Sequence, residues 1–427
     1  MSTRRPQFLI IQLLVLLLVT GCRSSASDNR GKGISSAQPG GAERRLANDR
    51  LCHALLEHER TALERDPELV AEKFARMART PFAFFRGTSW FSRETSHRFT
   101  TPASSQIAVL GDPHPENVGT FANAQGELVL EFNDFDLAHY GSYLDDVTRF
   151  AEGLWIVAAM ANLERRQRVA LVEAMVNGYV AEVQALSRGE APVSLRLASF
   201  GHLEAALEQP DDDDTTKSAP ARPDDEAAVR EVLAAYPQAR GFDIERVTRR
   251  TAGIASFTNT RFRVVLARSP DDHVTLEIKE STGQPAQTIV GIEKQFHGNL
   301  ESATWLGWAP LGPEEFRIRR VSPSERRFSA RRLAKQMRSP SDGSTRTSEL
   351  AFAFGRLLAR GHCTALDRDG KPGVSAIVTA IEAAPELKKY VVSAAEQSAE
   401  ANEADLKRFR EELGLRGAQL GWTGSAH

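Results

Sequence analysis

The chain has 427 residues and a formal net charge of −2, with 54 Lys+Arg and 56 Asp+Glu mixed along its length. Its basic residues are not interleaved with aromatic stacking positions, which excludes a nucleic-acid-binding footprint. Its 3 cysteines show no zinc-like spacing with histidine.

Arg4 and Arg5 precede an apolar run over 8–19 that ends at Thr20-Gly21-Cys22. A basic start, a short apolar core and small residues before a cut mark a secretory signal over 1–21, too short for a permanent span. Val19-Thr20-Gly21-Cys22 resembles the bacterial lipoprotein box, which implies acylation of Cys22 and membrane attachment through an N-terminal lipid. Arg23 follows it in place of Asp, and resemblance to Gram-negative sorting then implies the periplasmic face of the outer membrane. Residues 22–45 are rich in Ser and Gly and read as a flexible tether. The remaining stretch of about 380 residues is enough for one large bilobal domain or two ordinary ones. Cys52 and Cys363 are free to pair in an oxidising compartment, although Cys363 lies on an apolar helical pattern where a buried thiol is commoner.

Helical periodicity over 47–77 opens the first half, 46–208. The aromatic cluster at 80–87 follows, predicted to pack in the core beside Arg86, a residue suited to orienting a phosphate or carboxylate. A short apolar strand at 107–110 leads into Gly111-Asp112-Pro113-His114-Pro115-Glu116-Asn117. A turn at 123–126 introduces a strand at 127–132, which runs into Asn133-Asp134-Phe135-Asp136. Helices over 144–161 and 165–186 complete a mostly helical lobe, the former with Asp145 and Asp146 in its first turn. The proline-flanked acidic run 209–225 reads as a solvated linker. In the second half, 226–415, the pattern predicts a helix at 226–236, strands at 262–267, 274–280 and 316–321, and helices at 289–303, 349–365 and 391–413. The Arg-rich run 317–331 reads as a solvated face or hinge.

The two acidic segments offer an Asp-based proton acceptor and oxygen ligands for a divalent cation at spacings that kinase-type phosphoryl transfer uses. A turn-capping role is the alternative for each Asp or Asn alone. His114 between two prolines is equally a loop-bracing residue, and Asp145 and Asp146 equally helix N-terminal carboxylates.

Four features together resemble the bacterial domain-of-unknown-function family 2252: Arg86-Gly87 after the aromatic run, the Gly111–Asn117 and Glu131–Asp136 segments, and the tail from Asp146 to Arg149. Leu276 to Glu280, Leu306-Gly307-Trp308 and the helix ending Gly361-His362 extend the resemblance over roughly 74–413. The acidic motifs in turn resemble the aminoglycoside-phosphotransferase branch of the protein-kinase-like fold. That resemblance implies an α/β (α+β) bilobal, protein-kinase-like fold. It implies Asp112 as the proton acceptor, His114 as the brace of its loop, and Asn117 and Asp134 as ligands of Mg²⁺ or Mn²⁺, with Asp136 in the metal shell or capping the turn. Arg86, Asp146 and Arg149 then support the site from behind.

The order of parts is unusual for a kinase. A loop with Gly253 and Ser256, a strand carrying Lys279 and a helix carrying Glu293 follow the acidic motifs instead of preceding them. A circular permutation, with the catalytic-loop lobe first and the small β lobe second, explains this order. These four residues are the candidates for holding ATP, with the acceptor a hydroxyl of a small molecule or protein. Two features oppose an active kinase: the loop has Ala255 and Thr258 where glycines would admit phosphate, and an exported enzyme lacks a maintained ATP supply. Nucleotidyl transfer, a metal-dependent hydrolase using Asp112, His114, Asp134 and Asp136, and a non-catalytic envelope scaffold are the alternatives.

Overall fold

The computed structural model describes residue 51 and residues 54–90, 99–208, 217–298, 300–322, 324–338 and 343–416. The segments expected to be a signal and a tether, with Cys22, Cys52 and residues 209–216, lie outside the described residues, so the pairing considered for Cys52 does too. Cys363 is a free, buried thiol.

Two compact units divide at Phe84 and Asn402, with Phe85–Ala401 forming the larger. In the smaller unit the periodicity over 47–77 is interrupted: helices α1 (Arg60–Arg65) and α2 (Pro67–Met77) are separated by Asp66. Its carboxylate accepts from the Leu69 amide at 3.0 Å and Pro67 occupies the first helical turn, so a new helix starts there. A further helix, α3, spans Pro81–Gly87. Phe74 and Phe84 pack on Phe409, with ring centroids 5.6 and 5.3 Å away.

The larger unit begins with β1 (Ile107–Val109), followed by a 3₁₀ turn at Pro115–Asn117 and the hairpin β2 (Val118–Ala122) and β3 (Leu128–Phe132). Asn123 closes the hairpin by accepting from the amides of Gln125 and Glu127. β4 (His139–Gly141) returns antiparallel to β1. Helices α4 (Tyr143–Met160) and α5 (Arg165–Ser187) follow close to their predicted bounds, α4 capped by Ser142. Next come β5 (Leu207–Glu208), β6 (Lys217–Pro220), α6 (Pro223–Ala234), β7 (Asp243–Thr251), β8 (Arg261–Ser269), β9 (Asp272–Glu280) and α7 (Ala286–His297). The chain continues through β10 (Gly307–Leu311), β11 (Glu314–Arg320), β12 (Arg327–Phe328), α8 (Ala330–Met337), α9 (Gly343–Thr364), α10 (Val374–Glu382) and α11 (Leu387–Arg416). The architecture is mixed α/β. Its main sheet is antiparallel in the order β10-β11-β9-β8-β7-β6, beside a four-stranded sheet β3-β2-β12-β5.

The structure departs from two expectations. The acidic stretch 209–225 is not linker throughout, because β6 pairs with β7 as the edge of the main sheet. Pro223, Asp224 and Asp225 open α6, where a proline and carboxylates suit a helix N-terminus. The Arg-rich run is not a solvated face: Arg317 is buried, and Arg319 pairs with Glu277 and Glu325.

Strand alternation gives the main sheet two unlike faces. Phe262, Val264, Leu276, Ile278, Phe316 and Ile318 share one core with Val229, Val232 and Leu233 of α6. The intervening residues Arg261, Arg263, Glu277, Lys279, Arg317 and Arg319 form the other face.

Helices α5 and α9 cross so closely that a Cβ on Gly355 would lie 1.9 Å from the Met175 carbonyl oxygen. A Cβ on Gly178 would meet the Phe352 carbonyl oxygen at 2.0 Å. Gly355→Ala is therefore expected to force the helices apart and cost about 1–3 kcal/mol, as overpacked cores do. Urea denaturation with an unchanged midpoint would show that the crossing tolerates the methyl. Among the described residues, α5 is long and apolar enough to cross a membrane, but half of its apolar window is buried within the protein.

Candidate functional site

The Gly111–Asn117 loop is held from below. Gly111 has φ +81°, and a Cβ there would lie 2.3 Å from the Leu137 carbonyl oxygen, so the tight turn after β1 requires glycine. Asp146, fully buried in the first turn of α4, accepts from the Leu110 amide at 2.7 Å and the Gly111 amide at 2.9 Å. His362 of α9 approaches the same carboxylate with Nε2 at 3.0 Å, while the Tyr179 hydroxyl meets its Nδ1 at 2.9 Å. Burial raises the Tyr179 phenol well above its usual range, so the hydroxyl keeps its proton. An ionised carboxylate only accepts, so His362 meets Asp146 through an Nε2–H.

Asp112 follows this anchored turn. Its side chain is 13% exposed and accepts from Arg149 Nε at 2.8 Å. Burial raises its carboxyl to about 6, against the opposing pull of Arg149 and Arg86, with Asp134 adding to the rise. Arg149 is fixed by the Phe85 carbonyl at 2.7 Å and by stacking of its guanidinium 3.5 Å above the Phe85 ring. Arg86 binds a carboxylate, that of Glu116, at 2.6 Å, and the other Glu116 oxygen accepts from the Ala330 amide. His114 is buried with Nε2 3.9 Å from Asp112. Burial, reinforced by Arg86, Arg149 and Arg327, holds its pKa well below the usual imidazole value, so it stays neutral.

Asn117 donates its Nδ2 to the Asp112 carbonyl at 2.8 Å, which leaves its Oδ1 as an acceptor. The Asn117 carbonyl takes the Asn133 amide at 3.0 Å, tying the loop to the turn after β3. In that turn Asp134 accepts from the Asp136 amide at 3.3 Å. Asp134 is near enough to both Asp112 and Lys279 to act on each electrostatically.

Lys279 is not a solvent-facing strand residue. It is buried and donates from Nζ to Asp136 Oδ2, bridging 143 residues of sequence. Burial lowers its pKa to about 7, helped by Arg317, Arg319 and Arg86 and opposed by Asp134. Glu293 of α7 is buried but does not take Lys279, as the helix Glu of a kinase small lobe does. It accepts from Arg317 instead, with Nε at 2.6 Å, and Arg317 also lies 3.6 Å from Asp136. His297, one turn beyond Glu293, contacts the Phe132 carbonyl at 2.7 Å and so ties α7 to β3.

Among the described residues, neither Gly253 nor Ser256 is hydrogen-bonded to Asp112, Asp134 or Asp136. Gly253 has φ +80°, Ile254 and Phe257 are buried, and Ser256 Oγ accepts from Arg261 Nη2 at 3.3 Å. Sequence reasoning missed Arg317 and assigned no role to His362 or Tyr179. The alternation Phe316, Arg317, Ile318, Arg319 carried the signal, since it sets both guanidiniums on one face opposite an apolar one.

Asn117 Oδ1 and the Asp134 carboxylate are hard oxygen donors, and one or two such ligands completed by phosphate oxygens satisfy Mg²⁺. Mn²⁺ accepts the same donors. A catalytic zinc site takes three protein ligands. Among the described residues no three His, Cys, Asp or Glu side chains group to supply one.

Comparison with known proteins finds a family model, described as "Uncharacterized protein conserved in bacteria (DUF2252)", matching residues 65–232 and 213–412. No curated protein and no solved structure matches the chain.

Proposed function

The chain belongs to this bacterial family, whose description assigns no activity, and we propose that it is a kinase-like phosphotransferase of the cell envelope, anchored through a lipid on Cys22. The acceptor is a hydroxyl of a small molecule or a protein. The observation that carries this reading is the meeting of Lys279, from the main sheet, with the Asp134–Asp136 turn that follows the Asp112–Asn117 loop. A cation from one sheet, a proton acceptor and two oxygen ligands in one place are the parts that phosphoryl transfer needs.

In this reading Asp112 takes the proton of the acceptor hydroxyl as its oxygen attacks the terminal phosphorus of the donor. The bond from that phosphorus to the departing phosphate breaks as the new one forms. A carboxyl with a pKa of about 6 is ionised at neutral pH yet basic enough to share a proton. Arg149 holds the carboxylate in place, and Asp146 holds the backbone from which it projects. A bound Mg²⁺ would be held by Asn117 and Asp134 and would neutralise phosphate charge. The hydrolase alternative loses support because Asp136, one of its required ligands, is held by Lys279 and Arg317.

Calorimetric titration of ATP into the protein, with and without Mg²⁺, tests the reading. Binding is expected to require Mg²⁺ and to weaken at least tenfold in Asp134→Ala, the loss of a charged ligand being worth more than about 1.4 kcal/mol. Binding to the variant with wild-type affinity would remove Asp134 from the site.

A further inference from the structure

Directly opposed residues of an antiparallel sheet share a face. The register sets Arg261 opposite Lys279 across β8 and β9, and Lys279 opposite Arg317 across β9 and β11. Three cations therefore stand side by side on three neighbouring strands, a row about 10 Å long at the usual strand spacing. Behind it, the next row on the same face is Arg263, Glu277 and Arg319.

Such a row is costly to build. Like charges placed directly opposite destabilise a strand pair, and each buried ion loses several kcal/mol of hydration before any pairing. A surface meant only for packing would be apolar, as the opposite face of the same strands is. The cations rest on carboxylates: Lys279 on Asp136, Arg317 on Glu293, and Arg261 at 3.5 Å from Glu277. The middle of the row and one end, Lys279 and Arg317, reach Asp136 of the acidic turn. The other end meets the 253–258 loop, where Arg261 donates to Ser256. That loop buries Ile254 and Phe257 and lacks the run of glycines whose amides cradle phosphate elsewhere.

We propose that the Arg261–Lys279–Arg317 row is the binding site of a condensed phosphate chain, its side chains replacing the backbone amides of a glycine loop. The chain is that of a nucleoside triphosphate or of inorganic polyphosphate. Both present the same linked, multiply charged phosphates, which guanidinium forks bind in bidentate fashion. On binding, phosphate oxygens join the carboxylates at Lys279 and at the Arg317 nitrogen that Glu293 does not hold. The assignment rests on the phosphotransferase reading of Asp112 and Asp134 and names what that site recognises: the phosphate chain, not the nucleoside.

The test is calorimetry with ATP, tripolyphosphate and adenosine, each with Mg²⁺, on the wild type, Arg261→Gln and Arg261→Lys. ATP and tripolyphosphate are expected to bind the wild type and to weaken about tenfold to a hundredfold in Arg261→Gln, the range for a lost charged hydrogen bond. Adenosine is expected not to bind. Arg261→Lys keeps the charge but loses the fork, so a loss of about three- to tenfold is expected there even if the Gln variant fails to fold. Turnover with ATP against turnover with polyphosphate then identifies which source supplies the chain. Unchanged affinity in a folded Arg261 variant would overturn the row and leave Asp112 and Asp134 untouched. ATP binding without tripolyphosphate binding would also overturn it. No binding of either by the wild type would overturn both this proposal and the nucleotide site.

Discussion

Asp112→Asn is expected to lower turnover by about 10³-fold, within the range a positioned general base contributes, while Mg²⁺-dependent ATP binding persists. The same substitution is expected to leave the fold intact at pH 8, and the sign of that effect follows from the raised carboxyl. Its pKa of about 6 in the folded chain exceeds the ordinary 3.8, so the folded state binds this proton more tightly than the unfolded state does. Stability therefore falls as pH rises from about 4 through about 6, and above that the burial of the charge costs about 2–3 kcal/mol. An Asn at this position carries no charge and still accepts from Arg149. Thermal denaturation should thus give a melting temperature at pH 8 no lower than wild type, and the advantage should vanish at pH 4. Wild-type turnover in the variant would remove Asp112 from the chemistry. A loss of stability at pH 8 would make the carboxylate structural.

Asp146→Ala is expected to act in the opposite way. The Asp146 carboxylate is fully buried and accepts from the amides of Leu110 and Gly111 and from His362. Its removal leaves two backbone donors and an imidazole N–H without an acceptor, at a cost of about 3–5 kcal/mol. Asp146→Asn keeps one acceptor oxygen but turns an amide N–H₂ toward donors, so an intermediate loss is expected. A lower urea midpoint in the order wild type, Asn, Ala would match this. An Ala variant as stable as wild type would show that the turn before Asp112 needs no anchor. The contrast matters because both residues are acidic and enclosed. Burial penalises the charge of Asp112, whereas Asp146 accepts the hydrogen bonds that hold the turn before it.

Much of this was legible before any tertiary contact was known. The helices at Tyr143–Met160 and Arg165–Ser187 and the strands at Arg261–Ser269 and Asp272–Glu280 follow local rules of periodicity, capping and turn chemistry. Short-range pattern sufficed for these because their signals lie within one or two turns or a single hairpin. The spacing of Asp112, Asn117 and Asp134 was legible for the same reason, since one loop and one hairpin hold all three.

Tertiary structure decided which charges meet. Lys279 lies on an alternating strand, and only the antiparallel register beside β11 together with the approach of the Asp136 turn buries it. Arg317 sat in a run whose composition suggested solvent, yet it is enclosed by Glu293 and Asp136, which are far from it in sequence. Residues 217–225 looked like the tail of a linker, but β6 gains its partners from β7. The amino-acid sequence by itself determined the local elements and the acidic loop, because those depend on backbone preference and near neighbours. The fate of each buried cation depended on carboxylates brought from other strands and helices. Pairing energies of that kind depend on distance in space, which local pattern does not encode.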